Sequence, residues 1–269
     1  MEIMTYIVAL IVGLLAGTHT ATWGMYKDAP HEGFRRYKRS VIAGMVIAPL
    51  IELIVPRTWT SAGDMVLLFG VAYACERGAT EFYKVFIRNE DQTKYFIPMQ
   101  FHVFGKVTPP GPFRTVAAIG YAAVFTVVGF VVFRTESAGP TAPRWLMFGI
   151  IGSSIGWLVA MAGAFKDAPI EGFEWLKFFR SPLIAGIWAA LLSRFTSSYL
   201  LAAIGGAGFS VATIETYKTF FFPNRPRGKF AGKPVEFPEH LVTRQRFIPL
   251  YTGIWIVVLA GIVLGCMGQ

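Results

Sequence analysis

Charge is scarce in this chain. Asp, Glu, Lys and Arg together make up 15% of its 269 residues, against about 25% in an ordinary soluble domain. Cysteine is scarcer: Cys75 and Cys266 are the only two, too few and too far apart for a disulfide framework. The four histidines are scattered, which excludes the histidine clusters of a membrane di-iron oxygenase. HExxH and CxxC are absent, as is the GK[ST] ending of a phosphate-binding loop. The sequence therefore names no catalytic residue, and it implies no metal and no cofactor.

What fills the space is apolar. Hydrophobic residues make up 54% of the chain and mean hydropathy is +0.50. Apolar stretches of about 18–23 residues recur, enough to cross a hydrocarbon core of about 30 Å at 1.5 Å per residue. Eight are predicted, at 4–25, 40–56, 63–86, 114–134, 144–165, 181–196, 198–221 and 247–267. The first lacks the basic start and cleavage site of a signal peptide and is read as a span. The expected fold is an all-α polytopic membrane protein with eight transmembrane helices.

A net charge of +9 would suggest nucleic acid in a soluble protein. Here the distribution assigns it to topology, and no nucleic-acid partner is expected. Of the 25 basic residues, 20 lie on the connections after spans 1, 3, 5 and 7 or at the adjoining helix ends. The positive-inside rule then makes those connections cytoplasmic and puts both termini outside.

The sequence also repeats itself. "KDAPHEGF" at 27–34 returns as "KDAPIEGF" at 166–173, with only His31 and Ile170 differing. The echo continues in "KRSVIAG" against "RSPLIAG", and in "EFYKVF" against "ETYKTF". Two tandem four-helix repeats are expected, 1–138 and 139–269. An even span number per repeat makes them parallel, related by an axis along the membrane normal.

Candidate functional residues fall into four groups. Ionisable side chains inside a span are costly, which makes His19, Glu76 and Arg77 a candidate polar intramembrane site. The counterparts Leu158, Ser210 and Val211 are apolar or small, so one polar cavity is expected in the first repeat. The repeated turn contributes Lys27, Asp28, Glu32, Lys166, Asp167 and Glu171. Its Asp residues are expected to cap a new helical turn, and its acids could meet across the axis as a gate. Glu81 with Lys84, and Glu215 with Lys218, have the i,i+3 spacing of helix-end ion pairs. Arg225, Arg227, Lys229 and Lys233 form a basic juxtamembrane loop suited to anionic headgroups. A transporter or channel-like carrier is the reading for such a duplicated bundle. A membrane enzyme acting on a lipid headgroup and a scaffold subunit are the alternatives. The expected partners are membrane lipids, and the reading admits a homo-oligomer or a membrane complex.

Overall fold

The computed structural model describes every residue except Met1, Arg35, Arg36, Pro56, Pro140, 224–227 and Gln269, with Glu2 described by its backbone alone. Among the described residues the long helices are α1 (Glu2–Glu32), α2 (Tyr37–Ile54), α3 (Ala62–Phe82), α4 (Pro112–Ala138), α5 (Arg144–Glu171), α6 (Trp175–Leu192), α7 (Tyr199–Thr216) and α8 (Phe247–Met267). A short antiparallel hairpin, β1 (His102–Val103) with β2 (Lys106–Val107), lies in the connection between α3 and α4.

Six helical stretches are long and apolar enough to cross a membrane: Ile3–Glu32, Pro112–Ala138, Arg144–Glu171, Trp175–Leu192, Tyr199–Phe221 and His240–Met267. The sequence reading expects eight. The two helices outside this group, α2 and α3, are set apart by charge: α2 carries Lys38, Arg39 and Glu52, and α3 carries Asp64, Glu76, Arg77 and Glu81.

The helices run up and down, so the ends of α1, α3, α5 and α7 meet the starts of α2, α4, α6 and α8 at one end of the bundle. The long connections 88–111 and 222–246 lie there too, and we call it the loop end. The α3–α7 pair stands at the centre. Helix α1 packs on α2 and α3, and α5 on α6 and α7, while α8 leans on α3 and α4 on α7.

Small residues make the central seam. A Cβ placed on Gly208 would overlap the Gly70 carbonyl, so the α3 and α7 backbones touch there. In lipid no hydrophobic force drives helices together, and this close approach gains van der Waals contact instead. Phe69 of α3 stacks on Phe209 of α7 at 5.6 Å, and Phe209 stacks on Trp188 of α6 at 4.5 Å. Most of α4 and α8 faces outward with apolar side chains such as Val116, Phe130, Ile256 and Val263.

The repeated octapeptide departs from expectation. It does not begin a new helical turn. It is the last stretch of α1 and α5, which run on to Glu32 and Glu171, so Asp28 and Asp167 lie inside helices together with Pro30 and Pro169. Each helix stops at a glycine in the left-handed region, Gly33 (φ 71°) and Gly172 (φ 81°), the usual C-terminal stop. Proline cannot donate to the carbonyl four residues back, and for Pro30 the carbonyl of Tyr26 accepts instead from Arg244 Nη1 at 3.3 Å.

The seam gives a stability prediction. Gly208→Ala should force α3 and α7 apart and destabilise the bundle by about 1–3 kcal/mol, the range for overpacking. A Cβ at Gly120 on α4 meets nothing within 4 Å, so Gly120→Ala should stay within about 0.5 kcal/mol of the parent. Thermal unfolding of the two variants in the same detergent would reverse this assignment if Gly120→Ala were the more damaging.

Candidate functional site

The two octapeptides are held by different means, and the difference starts at the one position where they disagree. His31 stacks on Phe230 at 4.5 Å and donates from Nδ1 to the Pro234 carbonyl at 2.8 Å. Around it the 222–246 connection straps down over the end of α1. The backbone amides of Glu236 and Phe237 both reach the Pro30 carbonyl at 3.0 Å, and His240 Nδ1 donates to the Ala29 carbonyl at 3.0 Å. Lys229 pairs with Asp28 at 2.8 Å and Glu32 at 3.4 Å. Ile170 makes no such bond. It sits against Gly105, whose added Cβ would lie 3.7 Å from the isoleucine.

The connection 88–111 packs over the end of α5. Phe101 stacks on Phe165 at 6.2 Å, and Lys166 Nζ reaches Met99 Sδ at 3.4 Å. Each long connection thus covers a first helix from the other half of the chain. The two connections also meet: Phe96 N donates to the Lys229 carbonyl at 2.7 Å, and Lys233 Nζ to the Thr93 carbonyl at 2.8 Å. Tyr95 lies within hydrogen-bond distance of Glu32 and Glu90, 2.8 and 2.6 Å. Burial and these carboxylates push its phenol well up, so it remains a donor.

The same exchange recurs in the charges. Lys27 of α1 pairs with Glu215 of α7 at 3.8 Å, and Lys166 of α5 pairs with Glu81 of α3 at 4.0 Å. The local partners are present as well, Lys84 with Glu81 at 2.9 Å and Lys218 with Glu215 at 3.5 Å. Both α3 and α7 pass into five-residue π-helical turns here, Tyr83–Ile87 and Tyr217–Phe221, a rare geometry that often accompanies function.

The expected intramembrane trio lies away from the two cavities at the loop end. His19 is enclosed by rings: it stacks on Tyr251 at 4.2 Å, and Phe69, Tyr73 and Trp255 meet it edge-on. Trp23 Nε1 donates to the Tyr73 hydroxyl oxygen at 2.7 Å, leaving the hydroxyl hydrogen for His19 Nδ1 at 3.2 Å. Arg77 reaches this chain from the other side, 5.2 Å from the centre of the Trp23 ring, while pairing with Glu81 one turn along its own helix. Glu76 is fully buried and accepts from Thr80 at 3.0 Å. Both partners come from one helical turn away.

The space in the molecule lies elsewhere. A cavity of about 480 Å³ opens at the loop end between the two octapeptides, roofed by residues 228–246 with Phe222 and Pro223. Lys27, Lys177, Arg180, Lys218 and Arg244 line it, with His31 and the acids Asp167, Glu171 and Glu174. Lys177 is held by Asp167 at 2.9 Å and Glu171 at 2.8 Å. Thr219 and Arg244 are buried cavity-lining residues. Among the described residues, the Thr219 hydroxyl and Arg244 Nε have no hydrogen-bond partner. A smaller cavity of about 170 Å³ adjoins the first, sharing Asp167, Glu174, Lys177, Arg180 and Lys218. Neither is lined by His19, Glu76 or Arg77.

Lys177, Arg180 and Arg244 are therefore the site residues that sequence reasoning counted only as topology. One signal was available: Arg180 occupies the place of Arg39 in the second echo of the repeat. Lys229 and Lys233 are spent on docking, and Arg225 and Arg227 lie outside the described residues. The sequence Gly152-Ser153-Ser154-Ile155-Gly156 has GxSxG spacing, yet it is no nucleophile elbow. It lies within α5, Ser154 donates to the Ile151 carbonyl at 2.6 Å, and Cβ atoms on Gly152 and Gly156 would crowd Ala189 and Pro182 of α6.

His31→Ile, which makes the octapeptides identical, should loosen the strap over α1. A hydrogen bond and a ring contact together are worth about 1–2 kcal/mol, so trypsin cleavage after Lys229 should accelerate by about tenfold if cleavage follows local opening. An unchanged cleavage rate would show that His31 does not hold the strap. Comparisons with protein-family models, curated proteins and solved structures found no match, so the geometry of the loop end has to carry the functional reading.

Proposed function

We propose that this protein is a membrane carrier for an anionic substrate, which enters through the 480 Å³ cavity at the loop end. The single observation behind the reading is that cavity: five Lys and Arg side chains against three acids, between the repeated octapeptides. Duplicated membrane bundles commonly put their substrate path where the repeats meet. In this reading all eight long helices span, as two parallel repeats, 1–138 and 139–269. The charged face of α3 is sheltered by its central position. The loop end is cytoplasmic and both termini are outside, following the basic residues.

Several features support the repeats. The packing α1–α2, α1–α3 and α3–α8 has counterparts in α5–α6, α5–α7 and α7–α4. The close-approach glycines Gly13, Gly17 and Gly44 have counterparts in Gly152, Gly156 and Gly186. The exchanged Lys27–Glu215 and Lys166–Glu81 pairs join the repeats. Toward the other end the path is shut by the Gly70–Gly208 seam. Beyond it lies a clamp in which Arg57 holds Asp64 and donates to Thr196 at 3.2 Å, while Arg144 donates to the Thr196 carbonyl at 2.8 Å. The conformation is thus one open to the loop end. Anionic lipid headgroups, which the sequence assigned to the basic loop, belong in this reading to the cavity wall.

A second reading, an enzyme acting on a lipid headgroup, is favoured by His31, Asp167, Glu171 and Glu174 facing the same cavity as the cations. One experiment separates the two. With Cys75 and Cys266 replaced by alanine, Lys218→Cys is labelled by a membrane-impermeant thiol reagent in sealed vesicles of either orientation. A carrier that alternates its access should be labelled from both sides, faster from the cytoplasmic one. Labelling from the cytoplasmic side alone would exclude the carrier and leave the enzyme; labelling from the outer side alone would overturn the topology.

A further inference from the structure

We propose that the substrate is an amphiphile, a lipid bearing a phosphate headgroup, whose chain lies in a slot between α5, α6 and α7 while its headgroup occupies the cationic cavity. The inference rests on the carrier site proposed above and adds the substrate class.

The slot is the smaller, 170 Å³ cavity. Away from the polar residues it shares with its neighbour, its wall is mostly apolar, with Val159, Ala160 and Gly163 of α5, Phe178 of α6, Val211 and Ile214 of α7, and Ser181 and Glu215 as the polar exceptions. A Cβ on Gly163 would meet nothing within 4 Å, so the helix surface there borders open space. The slot is therefore continuous with the cationic mouth at one end and runs along the apolar helices at the other. A small hydrophilic anion would leave this wall bare, and an uncharged lipid would leave the cations unanswered. An anionic lipid answers both.

The charge at the junction suits a phosphate. Lys177, Arg180 and Lys218 belong to both cavities, so they stand where a headgroup joins its chain. Phosphate oxygens accept charge-assisted hydrogen bonds from Lys and Arg. Arg244 lines the larger cavity as well. Asp167 and Glu171 neutralise Lys177, so the positive surplus of the larger cavity rests on Lys27, Arg180, Lys218 and Arg244 against Glu174. The slot belongs to the second half of the chain, the half in which the octapeptide is not strapped by a histidine.

Binding to the purified full chain in neutral detergent tests this, with three probes: short-chain phosphatidic acid, phosphatidylcholine of the same chains, and glycerol phosphate as the headgroup without chains. Phosphatidic acid should bind most tightly. Gly163→Leu fills the slot without a clash, and Ala164→Leu on the same wall serves as a second filling variant. Each should weaken phosphatidic acid by about tenfold or more, given the chain burial removed, and leave glycerol phosphate unchanged. Lys177→Gln with Lys218→Gln should weaken both phosphate probes. If the filling variants bind phosphatidic acid normally while the lysine variant loses both phosphates, the cavity takes anions without a chain. The lipid inference then fails while the anion site stands. If the lysine variant binds every probe as the parent does, the anion site fails too. Phosphatidylcholine binding as tightly as phosphatidic acid would also overturn the headgroup assignment.

Discussion

The carbonyl oxygens and charges at the end of α1 have to be satisfied where the bundle is crowded, with Ala29, Pro30 and His31 buried, and the chain satisfies them from its other half. An unpaired backbone group costs several kcal/mol in such surroundings. Pro30 makes the need acute, since it leaves the Tyr26 carbonyl without its helical donor and Arg244 has to supply one. From that requirement follow the strap over α1, the packing of 88–111 over α5, and the exchanged Lys–Glu pairs on the central helices. Loops that would otherwise be mere connections become the clamps that fix how the two halves sit together.

The cavity arises because the two ends are covered unequally. Over α1, Lys229 answers Asp28 and Glu32, and His31 ties the chain down. Over α5 the equivalent acids, Asp167 and Glu171, are answered by Lys177 from α6, a neighbour and not a strap. The space that a strap would fill stays open and is edged by lysine and arginine. A difference of one residue between two copies of an octapeptide thus marks which copy is strapped, while both border the cavity.

The buried residues that looked most functional in the sequence have partners close by, with His19 Nε2 and Glu76 Oε2 left without one among the described residues. His19 is walled by aromatic rings and hydrogen-bonded to Tyr73; Arg77 and Glu76 are answered by Glu81 and Thr80 one turn away. An ionisable group in an apolar helix signals that a partner exists. It does not say whether the partner is a neighbour on the same helix or something bound in a cavity. The residues that do line space, Lys177, Arg180 and Arg244 among them, sit at helix ends, where sequence alone reads every cation as a marker of orientation.

What the sequence by itself determined was the class and the periodicity. Apolar stretches of membrane length are legible because hydropathy is a local sum, and the octapeptide, its echoes and the i,i+3 pairs Glu81–Lys84 and Glu215–Lys218 are legible because helical spacing is local too. The ends of the helices were less so. Hydropathy ended the spans at residues 25 and 165, whereas α1 and α5 continue to Glu32 and Glu171, and at α1 a donor 214 residues beyond Pro30 replaces the missing amide. Only the tertiary structure decided that the halves exchange their lysines and their loops, that His19 and Glu76 lie in different surroundings, and where the cavity opens. Those outcomes depend on which side chains meet across long separations, and charge, spacing and hydropathy along one chain carry no record of that meeting.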